Sequence, residues 1–118
     1  MTFSFYDKNG RAYAYSDDGV HIYTYVGKPI GYIHDESIYS ISGKHIGYFN
    51  KGSLLDANGN TLLFTEKSSS GPLKPIRQLK PIKGIKQIMP IKGIRQIRPI
   101  KPITSLGWSS QTPESIFE

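Results

Sequence analysis

The stretch Pro81-Ile82-Lys83-Gly84-Ile85-Lys86-Gln87-Ile88 returns nine residues later as Pro90-Ile91-Lys92-Gly93-Ile94-Arg95-Gln96-Ile97, and a degenerate copy starts at Pro99. A shorter period runs through it. Every third residue is aliphatic without a miss: Leu73, Ile76, Leu79, Ile82, Ile85, Ile88, Ile91, Ile94, Ile97, Ile100, Ile103 and Leu106. The position after each is Lys or Arg from Lys74 to Lys101, with Met89 the one exception, and the third position rotates among Pro, Gln and Gly. Three ridges result: apolar, cationic and turn-forming.

Only a helix of three residues per turn keeps such ridges straight. An α-helix advances about 100° per residue, so a step of three would carry the isoleucines around the whole cylinder. A β-strand would send successive isoleucines to opposite faces. A 3₁₀ helix rarely exceeds a few residues and needs the N–H groups that Pro75, Pro81, Pro90, Pro99 and Pro102 lack. Polyproline II needs no internal hydrogen bonds and has the φ that proline already holds. At about 3.1 Å per residue the segment would run roughly 110 Å if straight, whereas a domain of this size has a radius of gyration of about 13 Å. It must bend, wrap or project. Gly84 and Gly93 are the natural bending points, so a solenoid with nine-residue rungs is the competing geometry.

A basic, proline-rich run is ordinarily a disordered linker. Twelve unbroken aliphatics argue otherwise. Each is worth about 1.5–3 kcal/mol if buried, and leaving the ridge in water invites aggregation.

Upstream, Gly10, Gly27, Gly43 and Gly59 are spaced by 17, 16 and 16 residues, and each precedes an aromatic by five: Tyr15, Tyr32, Tyr48 and Phe64. This is an internal repeat. Alternating apolar residues before each aromatic read as a short strand, a polar corner follows (Asp17-Asp18-Gly19, His34-Asp35-Glu36, Asn50-Lys51-Gly52), and a second strand holds Ile22-Tyr23, Ile38-Tyr39 or Leu54-Leu55. Asn9-Gly10 and Asn58-Gly59 read as two-residue type I′ hairpin turns, with Asp7 and Asp56 placed to close them through Asx bonds. Gly31 and Gly47, one residue before an aromatic, suit close approach of a neighbouring strand. The expected fold is all-β: a four-repeat meander of seven or eight short strands over residues 1–66, a Ser/Gly linker at 67–72, the period-three segment at 73–106 and a C-terminal tail at 107–118. A head of some 65 residues is thin on core, so the Ile ridge is expected to complete it, within one chain or between chains.

Charge is sharply divided. Residues 1–71 hold six Lys/Arg against seven Asp/Glu, residues 72–103 hold nine Lys/Arg and no acid, and the last fifteen hold Glu114 and Glu118, for a net of +6. Lys80, Lys83, Lys86, Lys92, Arg95 and Arg98 are therefore candidate anion-binding residues, for nucleic acid or an anionic surface. The favoured reading is plainer: a solvated cationic face, with Lys stems covering Ile neighbours and no stacking aromatics interleaved. On that reading Lys92→Glu leaves assembly intact. Tyr15, Tyr32 and Tyr48 share one repeat phase and Tyr23 and Tyr39 another, which makes aromatic columns: a candidate ligand platform, or cross-strand packing that needs no ligand. His21, His34 and His45 fall in different phases without metal-ligand spacing, and Asp17-Asp18 and Asp35-Glu36 sit at corners where acids serve turns. Trp108 is read as a cap on the core. No catalytic residue, metal or cofactor is expected. The absence of cysteine excludes disulfides and thiolate chemistry, and with no signal-like segment or membrane-length apolar run a cytoplasmic location is the default.

The middle repeats Gly27-Lys28-Pro29-Ile30-Gly31-Tyr32 and Gly43-Lys44-His45-Ile46-Gly47-Tyr48, then Asp56-Ala57-Asn58-Gly59, resemble the bacterial four-fold beta flower proteins. So do the start of the period-three segment at Gly71-Pro72-Leu73-Lys74-Pro75, its Ile-Lys-Gly triplets and its end at Gly107-Trp108-Ser109; Tyr48 stands where that pattern has Trp. The resemblance implies a fold with fourfold symmetry, of subunits or of repeats, and no active site. The resulting expectation is a non-enzymatic, self-assembling protein, a homotetramer, in which Ile76, Leu79, Ile82, Ile85, Ile88, Ile91, Ile94, Ile97, Ile100 and Ile103 form the assembly ridge and pack on one another or on the β repeats.

Overall fold

The structure, a computed structural model, describes residues 2–117; Met1 and Glu118, at the outer ends of the first and last expected segments, lie outside the described residues. Eight antiparallel strands run in chain order: β1 (Phe3–Tyr6), β2 (Ala12–Ser16), β3 (His21–Thr24), β4 (Pro29–His34), β5 (Ser37–Ser40), β6 (His45–Asn50), β7 (Ser53–Leu55) and β8 (Thr61–Phe64). Each pairs with the next, and β1 also pairs with β8 through Tyr6 opposite Phe64, so the expected meander closes into a barrel. Closure leaves no sheet edge to template aggregation.

The turns differ from expectation in an instructive way. In the Asp7–Gly10 turn the amide of Gly10 donates to Asp7 O (2.9 Å) and that of Asp7 to Arg11 O (3.0 Å). Gly10 has φ +81° while Asn9 is not left-handed, and the β1–β2 register shifts at Phe5/Tyr6. This is a type I turn closed by a glycine bulge, in place of type I′. The Asx bonds are present: Asp7 Oδ1 accepts from the amides of Asn9 (2.9 Å) and Arg11 (3.0 Å), as Asp56 Oδ1 does from Asn58 and Asn60 (both 2.9 Å). The doubly left-handed turns lie at the polar corners, at Asp35-Glu36 (φ 52° and 64°) and Lys51-Gly52 (φ 49° and 82°).

Strand alternation sorts the side chains. Phe5, Ile22, Ile38 and Leu54, one per repeat, are fully buried inside, with Ala14, Ile30, Ile46, Leu62 and Leu63 around them. Gly31 and Gly47 admit the neighbouring strand, since a β-carbon at either would crowd the carbonyl of Tyr39 or Leu55. The chain end completes this core. A one-turn helix, α1 (Pro113–Ile116), is capped by Thr112 and delivers Ile116 into the interior cluster; Phe117 packs beside Gly31 and stacks on Tyr13 (6.4 Å between centroids). Outside the helix, Arg11 of the first turn bonds Glu114 at 2.8 Å.

Residues 73–106 wrap once around the barrel as an extended belt with neither helix nor strand. The molecule is a disc of 36 × 36 × 25 Å. The belt docks with a nine-residue beat: the amides of Gln78, Gln87, Gln96 and Ser105 donate to the carbonyls of Gly10, Gly27, Gly43 and Gly59 at 2.8–2.9 Å. Between these, Gly84 and Gly93 donate to Tyr25 and Ile41 (2.7 and 2.8 Å). Gly71, Pro72 and Leu73 line one groove with Leu106 and Trp108, so the two ends of the belt meet. Extended edges and a nine-residue unit are thus both present, but each unit is one span of a single girdle rather than a solenoid rung.

The side chains settle which ridge faces inward. The Gln/Gly/Pro ridge supplies the docking amides, and the cations reach the barrel wall. With three ridges about 120° apart, the aliphatic one must point away. From Leu73 to Leu106 all twelve aliphatics are 82–98% exposed. The expectation that the Ile ridge packs on the β repeats and completes their core is therefore corrected. Interior side chains and α1 fill the core, and the belt covers the outer wall with Lys stems and backbone.

Candidate functional site

The contact zone between belt and barrel gathers most of the candidate residues. On the outer wall Tyr6, Tyr15, Tyr25 and Phe64 form a buried cluster, with Tyr23 and Trp108 packed against it. Tyr15 stacks with Tyr23 (6.1 Å) and Tyr32 with Tyr39 (5.8 Å), while His45 lies edge-on to both Tyr39 (5.2 Å) and Tyr48 (4.8 Å). These are the expected aromatic columns, and belt cations lie over them: Lys83 over Tyr15 (4.3 Å), Lys86 over Tyr23 (5.0 Å), Lys92 over Tyr32 (4.7 Å) and Arg98 over Tyr48 (5.6 Å). A cation over a ring face is attracted by the ring quadrupole, and the alkyl stem covers what remains. The faces of Tyr15, Tyr32 and Tyr48 that a flat ligand would need are taken by the protein's own side chains.

Ion pairs follow the same pattern. Lys83 and Lys86 both reach Asp17 (3.1 and 2.7 Å), Lys80 reaches Glu66 (3.5 Å), Lys101 reaches Glu36 (3.4 Å) and Arg98 reaches Asp35 (3.7 Å). Lys92 donates to Nε2 of His21 (3.0 Å), whose Nδ1 lies 2.7 Å from Asp18. Of the six candidate anion-binding residues, Arg95 alone has no ion pair or side-chain hydrogen bond among the described residues. The cations remain partly solvated, with Lys80, Lys83 and Lys86 side chains 42–51% exposed, but their stems do not cover the isoleucines: cations and isoleucines occupy different sides of the belt. Lys92→Glu accordingly strikes a docking contact.

These contacts perturb titrations. Asp17 is held below the usual carboxylate range chiefly by its bond to Lys86, which outweighs partial burial, with Lys83 adding to it. For Asp18 the burial penalty is overcome by hydrogen bonds from His21 and Val20, and the net shift is also down. Burial first, and the Arg98 charge second, push His45 down. A depressed folded pKa stabilises the fold above the ordinary carboxylate value, and that contribution is lost as pH falls through the folded value. Urea unfolding should therefore show stability dropping below about pH 4. Asp17→Asn should shrink that drop, and an unchanged acid limb in this variant would refute the assignment.

The histidines do not converge: His21 joins Asp18 and Lys92, His34 lies at a groove, and His45 bonds Ser37 (3.1 Å). Among the described residues no group of three His, Asp or Glu could hold a metal ion. Trp108 meets Phe64 edge-on at 5.9 Å at the seam where the belt ends, capping the outer aromatic cluster rather than the interior. The buried bond from Ser109 to Asp56 (2.6 Å) then ties the chain to the fourth glycine turn. Among the described residues the buried hydroxyls of Tyr32, Thr61 and Ser70 have no hydrogen-bond partner, whereas Tyr48 donates to Pro99 O (2.6 Å).

Sequence reasoning missed the inward turn of the cations. The signal was present in register, because the belt repeats every nine residues and the wall every 16 or 17, so cations and tyrosines advance together.

An eight-stranded antiparallel barrel of four repeats, girdled once by its own extended C-terminal segment, defines an all-β repeat class in which the fourfold relation lies within one chain. The sequence profile of the family described as 4-fold beta flower protein matches residues 3–117, and the chain belongs to that family. No curated protein and no solved structure matches it. Among the described residues no helix is long and apolar enough to cross a membrane.

Proposed function

We propose that this is a non-enzymatic structural protein that self-associates through the apolar rim of its belt, and that the assembly is a homotetramer. The observation that carries the reading is the uniform outward exposure of the ridge, from 82% at Leu106 to 98% at Ile91. Soluble monomers rarely present a continuous apolar surface of this extent. The occupant that fits best is a second copy. Each nine-residue span offers three aliphatics about 9 Å apart, and a ridge of identical knobs is complementary to itself across a two-fold axis. The neighbouring cations are drawn onto the barrel, so the rim carries little charge that would select a different partner. That placement also weighs against the alternative use of the belt, phosphate tracking along nucleic acid, which needs free cations. Four similar spans surround each disc, and two per chain suffice to close a ring of four.

Native mass spectrometry and light scattering test this. Wild type should run as a tetramer at micromolar concentration, and Ile91→Asp should shift the population towards smaller species with an unchanged fold by circular dichroism. A stable wild-type monomer would overturn the proposal.

A further inference from the structure

The fourfold relation exposes a place where charge has been left out. Two residues beyond each column aromatic stand Asp17, His34, Asn50 and Glu66 in the four repeats. In three of them this position takes a belt cation: Asp17 takes Lys83 and Lys86, Asn50 takes Lys101 (3.0 Å), and Glu66 takes Lys80. In the second repeat it is His34. The belt residue nine positions after Lys86 is Arg95, so Arg95 arrives where its counterpart has a carboxylate and finds an imidazole.

An open groove of about 500 Å³ lies there, lined by His34, Asp35, Tyr39, Arg95, Gln96 and Arg98 among others. Its polar groups are mostly donors. Gln96 Oε1 is already used by the amide of His45 (2.8 Å), which leaves its N–H₂ group for a ligand. Arg98 is spent on Asp35, donating to its carbonyl at 2.8 Å and standing 3.7 Å from its carboxylate, and that exposed carboxylate is the acid in the groove. The guanidinium of Arg95 remains, a planar fork suited to a multi-oxygen anion. The same repeat holds the buried hydroxyl of Tyr32, which has no hydrogen-bond partner among the described residues.

From this geometry we infer that the second-repeat groove is a binding site for a small phosphate group, held by Arg95 with the Gln96 amide and His34. The other three quadrants are closed to anions by their own acceptors. The volume suits a phosphate monoester as well as the free ion.

Calorimetric titration of the full chain with inorganic phosphate, and separately with glycerol 3-phosphate, tests the site. Wild type should bind at least one of them, and tighter binding of the ester would identify a monoester as the source. Arg95→Ala should weaken binding at least tenfold. His34→Asp, which installs the first repeat's acceptor and so has a precedent within this fold, should abolish it. Lys86→Ala, in the neutralised quadrant, should leave it unchanged. Absence of wild-type binding to either titrant, or affinity that survives both Arg95→Ala and His34→Asp, would overturn the inference.

Discussion

Gly43→Ala should release the belt from the barrel. Gly43 has φ +96°, a region that costs a residue with a β-carbon about 1–2 kcal/mol, and the added carbon would overlap the carbonyl oxygen of Ile94. Both partners are backbone, so no rotamer change relieves the clash. The bond from the Gln96 amide to Gly43 O (2.8 Å) is lost with it. A destabilisation of at least about 2 kcal/mol is expected in urea unfolding. Trypsin should also cut the belt, where its many Lys and Arg residues become accessible. Gly107→Ala is the control, because the nearest atom to a β-carbon there is Asn60 Oδ1 at 3.5 Å. If Gly43→Ala resisted trypsin as wild type does, the close approach of belt and turn would be disproved. The same overlap exists at Gly10, Gly27 and Gly59, so the repeat glycines that read as hairpin residues are equally the seats on which the belt rests.

The second large effect separates isoleucines that composition treats alike. Ile38 is fully buried at the barrel centre, and Ile38→Ala should cost about 2–5 kcal/mol through lost transfer energy and the cavity left behind. Ile88 is 94% exposed on the rim, and Ile88→Ala should leave the folded chain's own stability within about 0.5 kcal/mol. Measured under conditions that keep the chain monomeric, equal costs at the two positions would mean that the belt packs its apolar side inward.

That contrast also marks how far the sequence could be read. Four β repeats, their hairpin boundaries and the nine-residue unit follow from spacings that local physics enforces, and the structure contains all of them. The direction of the ridges does not follow, because a period of three specifies three faces without saying which meets a wall. An isoleucine ridge beside a thin β head suggests burial by default. Here tyrosine faces and corner acids attract Lys and Arg, while glycine carbonyls attract the belt amides, so two polar ridges win the wall. Barrel closure was hidden because it depends on a single registered pair, Tyr6 with Phe64, far apart in the chain. The role of Ile116 and Phe117 was hidden because one helical turn leaves almost no periodic signal. The groove at Arg95 was visible in outline as His34 standing where the first repeat has Asp17, but only docking of the belt shows which cation faces it.

The docking beat constrains how this chain can change length. A single residue inserted at the middle of the belt would rotate every later position by one ridge, driving isoleucines against the wall and lifting cations into water. Gaps of three would restore the faces yet still carry later amides past their glycine carbonyls. Only nine residues restore both, and then a further 16 or 17 are needed in the barrel to receive them. Head and girdle are coupled like two gears with unequal teeth, so the chain can grow or shrink only by whole quadrants.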